Sequence, residues 1–85
     1  MKLVLNRNWG GFHLPKEFCE LYDCSAYDDI ERNDSRLVSF IENKGGKFGD
    51  LKIVEIPDDN TDYRIDDYDG METVTYVVGG KMYDA

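Results

Sequence analysis

Asp62-Tyr-Arg-Ile-Asp-Asp-Tyr-Asp-Gly70 runs into Met71-Glu-Thr-Val-Thr-Tyr-Val-Val78, and then through Gly79-Gly80 into Lys81-Met-Tyr83. From Asp62 to Tyr68 the side chains alternate, with Tyr63, Ile65 and Asp67 on one side and Asp62, Arg64 and Asp66 on the other. That is the period of a strand. Val74, Tyr76 and Val78 repeat the alternation against Thr73, Thr75 and Val77. Asp69-Gly70 and Gly79-Gly80 supply residues that tolerate the positive φ of tight hairpin turns. The stretch predicts an antiparallel meander whose acidic first strand lies at a sheet edge.

Upstream, Leu51-Lys-Ile-Val-Glu-Ile56 reads as a buried strand stopped by Pro57. Lys2 to Asn6 is another, and its unbroken Leu3-Val4-Leu5 suits a strand covered on both faces. Between them lie two helical patterns. Pro15 fits a first helical turn, and Phe18, Leu21 and Tyr22 fall three and four residues apart on one face. In the second, Asn33 or Asp34 caps a helix with Leu37, Val38 and Ile41 inward and Phe40 at the margin; Lys44 opposes its C-terminal dipole and Gly45 stops it. Residues 45–50 read as a glycine-rich loop. The expected fold is α+β: an N-terminal strand, two helices, then a three- to four-strand antiparallel meander with the helices on one sheet face. At 85 residues, residues 1–85 are expected to form a single domain, because a divided core would leave neither half enough buried surface.

The formal charge is -8, and it is unevenly spread. Residues 1–49 hold eight acids and seven bases, whereas residues 50–85 hold ten acids and three bases. The segment Ile56 to Gly70 concentrates six aspartates and two tyrosines. A second acidic group, Glu20, Asp23, Asp28, Asp29 and Glu31, precedes the second helix. Direct nucleic-acid binding and attraction to anionic lipid are both disfavoured, since each needs clustered Lys and Arg. No apolar run approaches a membrane span, and Met-Lys-Leu-Val-Leu-Asn6 turns polar too soon for a secretory signal, so a cytoplasmic protein is expected. Cys19 and Cys24 are then expected as reduced thiols.

Several chemical motifs are present only in part. Asp58, Asn60 and Asp62 match the first three ligand positions of an EF-hand loop, and Ile65 its apolar position. Tyr63 stands where a glycine must turn the chain, however, Asp69 replaces the bidentate glutamate, and no helices flank the segment. A weak calcium module is thus a distant alternative, with no metal and no cofactor the expected state. Trp9-Gly-Gly-Phe12 lacks the lysine and hydroxyl of a phosphate loop and reads as a tight turn whose aromatics cover the core's end. His13, Cys19 and Cys24 have neither a familiar zinc spacing nor a group that orients the imidazole for nucleophilic catalysis. No catalytic residue is expected, and the chain reads as a non-enzyme.

Lys2-Leu-Val-Leu-Asn6 continuing to Gly10-Gly-Phe-His-Leu14, and Leu51-Lys-Ile-Val-Glu-Ile-Pro-Asp-Asp59 continuing to Ile65-Asp-Asp-Tyr-Asp-Gly70, resemble a family of small bacteriophage and prophage proteins with no assigned biochemistry. Glu31-Arg32 with Asp34, Leu37 and Val38 fits between them, while Pro15 and the ending from Gly79 depart from the pattern. A phage origin, taken with the acidic charge and by analogy with other small acidic phage proteins, implies an interaction protein that binds a basic host protein. Its sharper form is a nucleic-acid mimic that inhibits host defence or nucleic-acid machinery, as anti-CRISPR proteins do. The expected contact is Asp58, Asp59, Asp62, Tyr63, Asp66, Asp67, Tyr68 and Asp69, with Trp9 as a further aromatic anchor. The alternative is a self-associating structural or accessory phage protein held through residues 71–83. Sequence leaves monomer and dimer equally open.

Overall fold

The computed structural model of the chain describes residues 1–57 and 61–85. Its elements are β1 (Lys2–Asn6), α1 (Lys16–Tyr22), α2 (Ser35–Glu42), β2 (Lys47–Phe48), β3 (Leu51–Glu55), β4 (Asp62–Tyr68), β5 (Met71–Val78) and β6 (Lys81–Asp84). The class is α+β, built on two antiparallel three-stranded sheets ordered β1-β3-β2 and β4-β5-β6. The C-terminal meander is therefore β4-β5-β6 alone. Leu51 to Ile56 does not begin it: β3 pairs with β1, setting Leu3 opposite Val54 and Leu5 opposite Lys52.

The consecutive Leu3-Val4-Leu5 explains this layering. All three are fully buried, yet successive strand residues point to opposite faces. Val4 packs with Leu14, Phe18, Leu37, Phe40, Ile41 and Leu51 on the helical side. Leu3 and Leu5 pack with Ile56 and Val74 on the other side, against the meander. The β1-β3-β2 sheet is thus the middle layer, covered by helices on one face and by a second sheet on the other. Each fully buried Leu or Ile contributes about 2 kcal/mol relative to exposure, so β1 ties both cores together.

Helix α1 follows Pro15, whose φ of -60° and missing N–H suit a helix start. Its buried residue is Phe18; Leu21 and Tyr22, expected on the same inward face, are 65% and 38% exposed. Seven residues make only two turns, and Tyr22 lies against Phe18, with ring centroids 4.8 Å apart. In α2, Asp34 caps the N-terminus by accepting a hydrogen bond from Arg36 N at 2.9 Å. The inward stripe is Leu37, Phe40 and Ile41, with Val38 only half-buried, which reverses the expected places of Phe40 and Val38. Positions i, i+3 and i+4 share a helix face, and Phe40 is held there edge-on to both Phe18 and Phe48. Lys44 beyond the helix end pairs with Glu17 of α1 at 3.1 Å. The glycine-rich loop contains the short strand β2, whose Phe48 lies opposite Leu51 across Gly49-Asp50.

Two polar devices fasten the meander to the body. Glu72 of β5 is buried, and its carboxylate takes both guanidinium nitrogens of Arg32, with Nη2 at 2.8 Å. The same carboxylate accepts the backbone N–H of Asn6 at 2.8 Å. Arg32 also lies over the Phe12 ring at 3.5 Å, and its carbonyl accepts the N–H of Val4 at 2.9 Å. The open edge of β1 is therefore occupied by a side chain and a connector, which satisfies backbone groups that would otherwise be orphaned. The second device is a close backbone approach. Asn6 Nδ2 donates to Gly70 O at 2.6 Å, and Gly10 N donates to Asp69 O at 3.3 Å.

Candidate functional site

The acidic segment enters a strand at Asp62, and β4 is an outer strand of its sheet. In register, Asp62 lies opposite Val77, Arg64 opposite Thr75, Asp66 opposite Thr73 and Tyr68 opposite Met71. These residues share the outer face of the meander. Tyr63, Ile65 and Asp67 share the face turned toward the body, with partners Tyr76, Val74 and Glu72. The expected alternation is the one observed. Asp69, at φ 51°, and Gly70, at φ 93°, form the two-residue turn, whose Gly70 N–H is accepted by Asp67 Oδ1 at 2.7 Å.

The carboxylates divide into two kinds. Asp66 is held internally: Arg64 Nε reaches its Oδ1 at 2.9 Å, and the Thr75 hydroxyl lies 3.1 Å from its Oδ2 and 3.0 Å from Asp84 Oδ1. One hydroxyl proton serves one of those two acceptors at a time. Asp62, Asp67 and Asp69 are exposed, and among the described residues no basic side chain pairs with any of them. Asp58 and Asp59, also expected in the contact, lie outside the described residues.

Aromatic groups stand near both ends of β4. Tyr63 is 37% exposed, Tyr68 is 73% exposed, and Trp9 at 56% sets its ring 6.1 Å from that of Tyr68. The sequence predicts that Trp9 and Phe12 together cover the end of the core. Only Phe12 does so, because the Gly10-Gly11 backbone lies against the meander turn and holds Trp9 outside it. A shallow groove lined by Asp62, Tyr63, Arg64, Thr75, Val77 and Met82 crosses the outer face.

The other candidates disperse. From Asp62 to Tyr68 the potential calcium loop is extended strand, which sends successive side chains to opposite faces, while its other two matched positions, Asp58 and Asn60, lie outside the described residues. Among the described residues no three His, Cys, Asp or Glu side chains gather as metal ligands. His13 sits with its ring 6.5 Å from that of Tyr27, in a cleft of about 370 Å³ with Lys16, Glu17, Phe48 and Asp50, and neither cysteine lines that cleft. Cys19 and Cys24 are free and half-buried. Burial, followed by the hydrogen bond to Cys24, pushes the Cys19 thiol above its ordinary value of 9.0, the opposite of what an activated nucleophile needs.

The Arg32–Glu72 pair is not readable from sequence, since it joins residues forty positions apart. One signal does exist, because Glu72 stands in phase with Val74 and Tyr76 on the inward face. Among the described residues no helix is long and apolar enough to cross a membrane. Comparison with protein-family models, with curated proteins and with solved structures gives no match.

Proposed function

We propose that this chain is a stoichiometric interaction protein that binds a basic protein surface through the β4 edge and its turn, without catalysis. The observation that carries the reading is three exposed carboxylates unpaired with any base among the described residues, Asp62 on the outer face of β4, Asp67 on the opposite face and Asp69 in the turn, with Tyr63, Tyr68 and Trp9 beside them on an outer strand. Charge at the rim of such a contact accelerates encounter and selects basic partners, while the aromatic rings supply the area that is desolvated. A strand fixes the spacing of those groups, so less entropy is lost on binding than from a free acidic tail.

The resemblance of the β1 and β3–β4 sequences to small phage proteins makes a host protein in the bacterial cytoplasm the expected target. A nucleic-acid-binding or defence protein fits best, because its Lys/Arg-lined surface matches the charge. Full imitation of a nucleic-acid backbone needs an unbroken negative row, however, and Arg64 interrupts the outer face between Asp62 and Asp66. The ridge therefore suits a compact basic patch better than a long groove.

The test is capture from a bacterial host lysate, followed by titration of the purified partner against wild type and against Asp62→Asn/Asp67→Asn/Asp69→Asn. Rim charges contribute about 0.5–1 kcal/mol each, so the triple variant is expected to bind roughly tenfold to hundredfold more weakly. Undiminished binding by that variant contradicts the proposal.

A further inference from the structure

The distal part of the β5–β6 hairpin, residues 77–84, is exposed throughout. All four residues of β6 are exposed, and one edge of the strand is unpaired among the described residues. Val77, Val78, Met82 and Tyr83 are 39%, 42%, 68% and 44% exposed, which leaves apolar surface on both faces. The open edge of β6 is a template for a further strand.

Charge and register together select a second copy of the chain as that strand's source. Residues 71–85 contain Glu72, Asp84 and Lys81 as their only charged side chains, and Glu72 is already buried against Arg32. The hairpin surface is therefore close to neutral on a chain of charge -8. Two such chains repel least where they meet here, whereas meeting through β4 would bring two acidic rows together.

Ala85 N donates to Val74 O at 2.9 Å, so the odd-numbered positions bond toward β5. Met82 and Asp84 then turn their backbone groups to the open edge. Antiparallel pairing centred on Met82 lets residue 82 exchange both hydrogen bonds with its copy, sets Asp84 opposite Gly80, and sets Lys81 opposite Tyr83. Val77 is the register partner of Met82, so the outer face gains an apolar row of Val77, Met82, Met82 and Val77. On the other face each Lys81 ammonium meets the opposing Tyr83 ring, which already stacks on Tyr76 at 5.5 Å. Centring on Tyr83 instead would place Asp84 against Met82 and forfeit the Lys81–Tyr83 contact.

We infer that the chain forms a twofold dimer through β6, joining two meanders into one six-stranded sheet. The inference does not rest on the basic-partner reading, since it uses the opposite edge of the same sheet. Sedimentation velocity on wild type, Met82→Lys, Met82→Glu and an equimolar mixture of the two variants tests it. The wild type is expected to show a concentration-dependent dimer that persists at high salt. Each single variant is expected to be monomeric, and the mixture to recover the dimer, because residue 82 faces itself. A wild type that stays monomeric at roughly 0.1 mM overturns the inference, as do single variants that remain dimeric or a mixture that remains monomeric. Met82 is largely exposed, so both variants are expected to fold; the wild-type concentration series decides the matter even where one does not.

Discussion

Replacing Gly70 by alanine strikes the junction between the meander turn and the loop after β1. A Cβ there would lie 2.1 Å from Gly11 N, 2.6 Å from Gly10 N and 2.9 Å from Gly10 C, all backbone atoms that no rotamer change can move. The loop must separate from the turn, which breaks the Asn6 Nδ2–Gly70 O and Gly10 N–Asp69 O hydrogen bonds. Each is worth about 1 kcal/mol, and alanine at φ 93° adds about 1 kcal/mol of backbone strain, giving a loss of about 3 kcal/mol. That is a large share of the roughly 4–13 kcal/mol expected for a chain of this length. Gly46→Ala is the matched control. Gly46 has φ 87° but no atom within 4 Å of where an alanine Cβ would sit, so that variant carries the backbone strain alone. Urea unfolding followed by Trp9 fluorescence should separate the two variants by about 2 kcal/mol, or about 1–2 M in midpoint. Equal losses for Gly70→Ala and Gly46→Ala would refute the close approach.

The Arg32–Glu72 pair predicts strong non-additivity. Arg32→Met strands a buried carboxylate and is expected to cost about 3–5 kcal/mol, while Arg32→Met/Glu72→Met loses less than that single change, as read from urea midpoints. Asp34 predicts a pH dependence. The hydrogen bond from Arg36 holds its carboxyl below the ordinary 3.8, so its stabilisation is complete above that value and is lost as pH falls through the lower folded value. Asp34→Ala should therefore lower stability by about 1 kcal/mol at neutral pH, and the gap from wild type should narrow at about pH 2, both measured by urea unfolding.

Much of the local structure is legible in the sequence because it rests on short-range periodicity. The alternation from Asp62 onward marks the meander, and Asp69-Gly70 and Gly79-Gly80 mark its turns. The partner of Leu51–Glu55 is not legible, because an apolar run announces a buried strand without naming the strand beside it. Leu3-Val4-Leu5 signals cover on both faces but not that the second cover is another sheet. Lys47–Phe48 is too short to show any period, and a helix of seven residues is too short for its pattern to show which apolar side chains are covered. In the candidate site, the acidic residues and their tyrosines can be located from sequence, but not that Arg64 and Thr75 occupy Asp66 while no base among the described residues pairs with Asp62, Asp67 or Asp69. Nor can Trp9 be brought beside Tyr68, fifty-nine residues away, since that contact depends on the docking of the Asp69-Gly70 turn.

Amide hydrogen exchange on the chain, alone and bound to its captured partner, tests the central claim most directly. Slowed exchange across residues 62–69, with residues 81–84 unchanged, is the predicted result, because it places the partner on the β4 edge and leaves the β6 edge to self-association. Protection confined to the helices or to β6, with residues 62–69 exchanging as in the free chain, would contradict it.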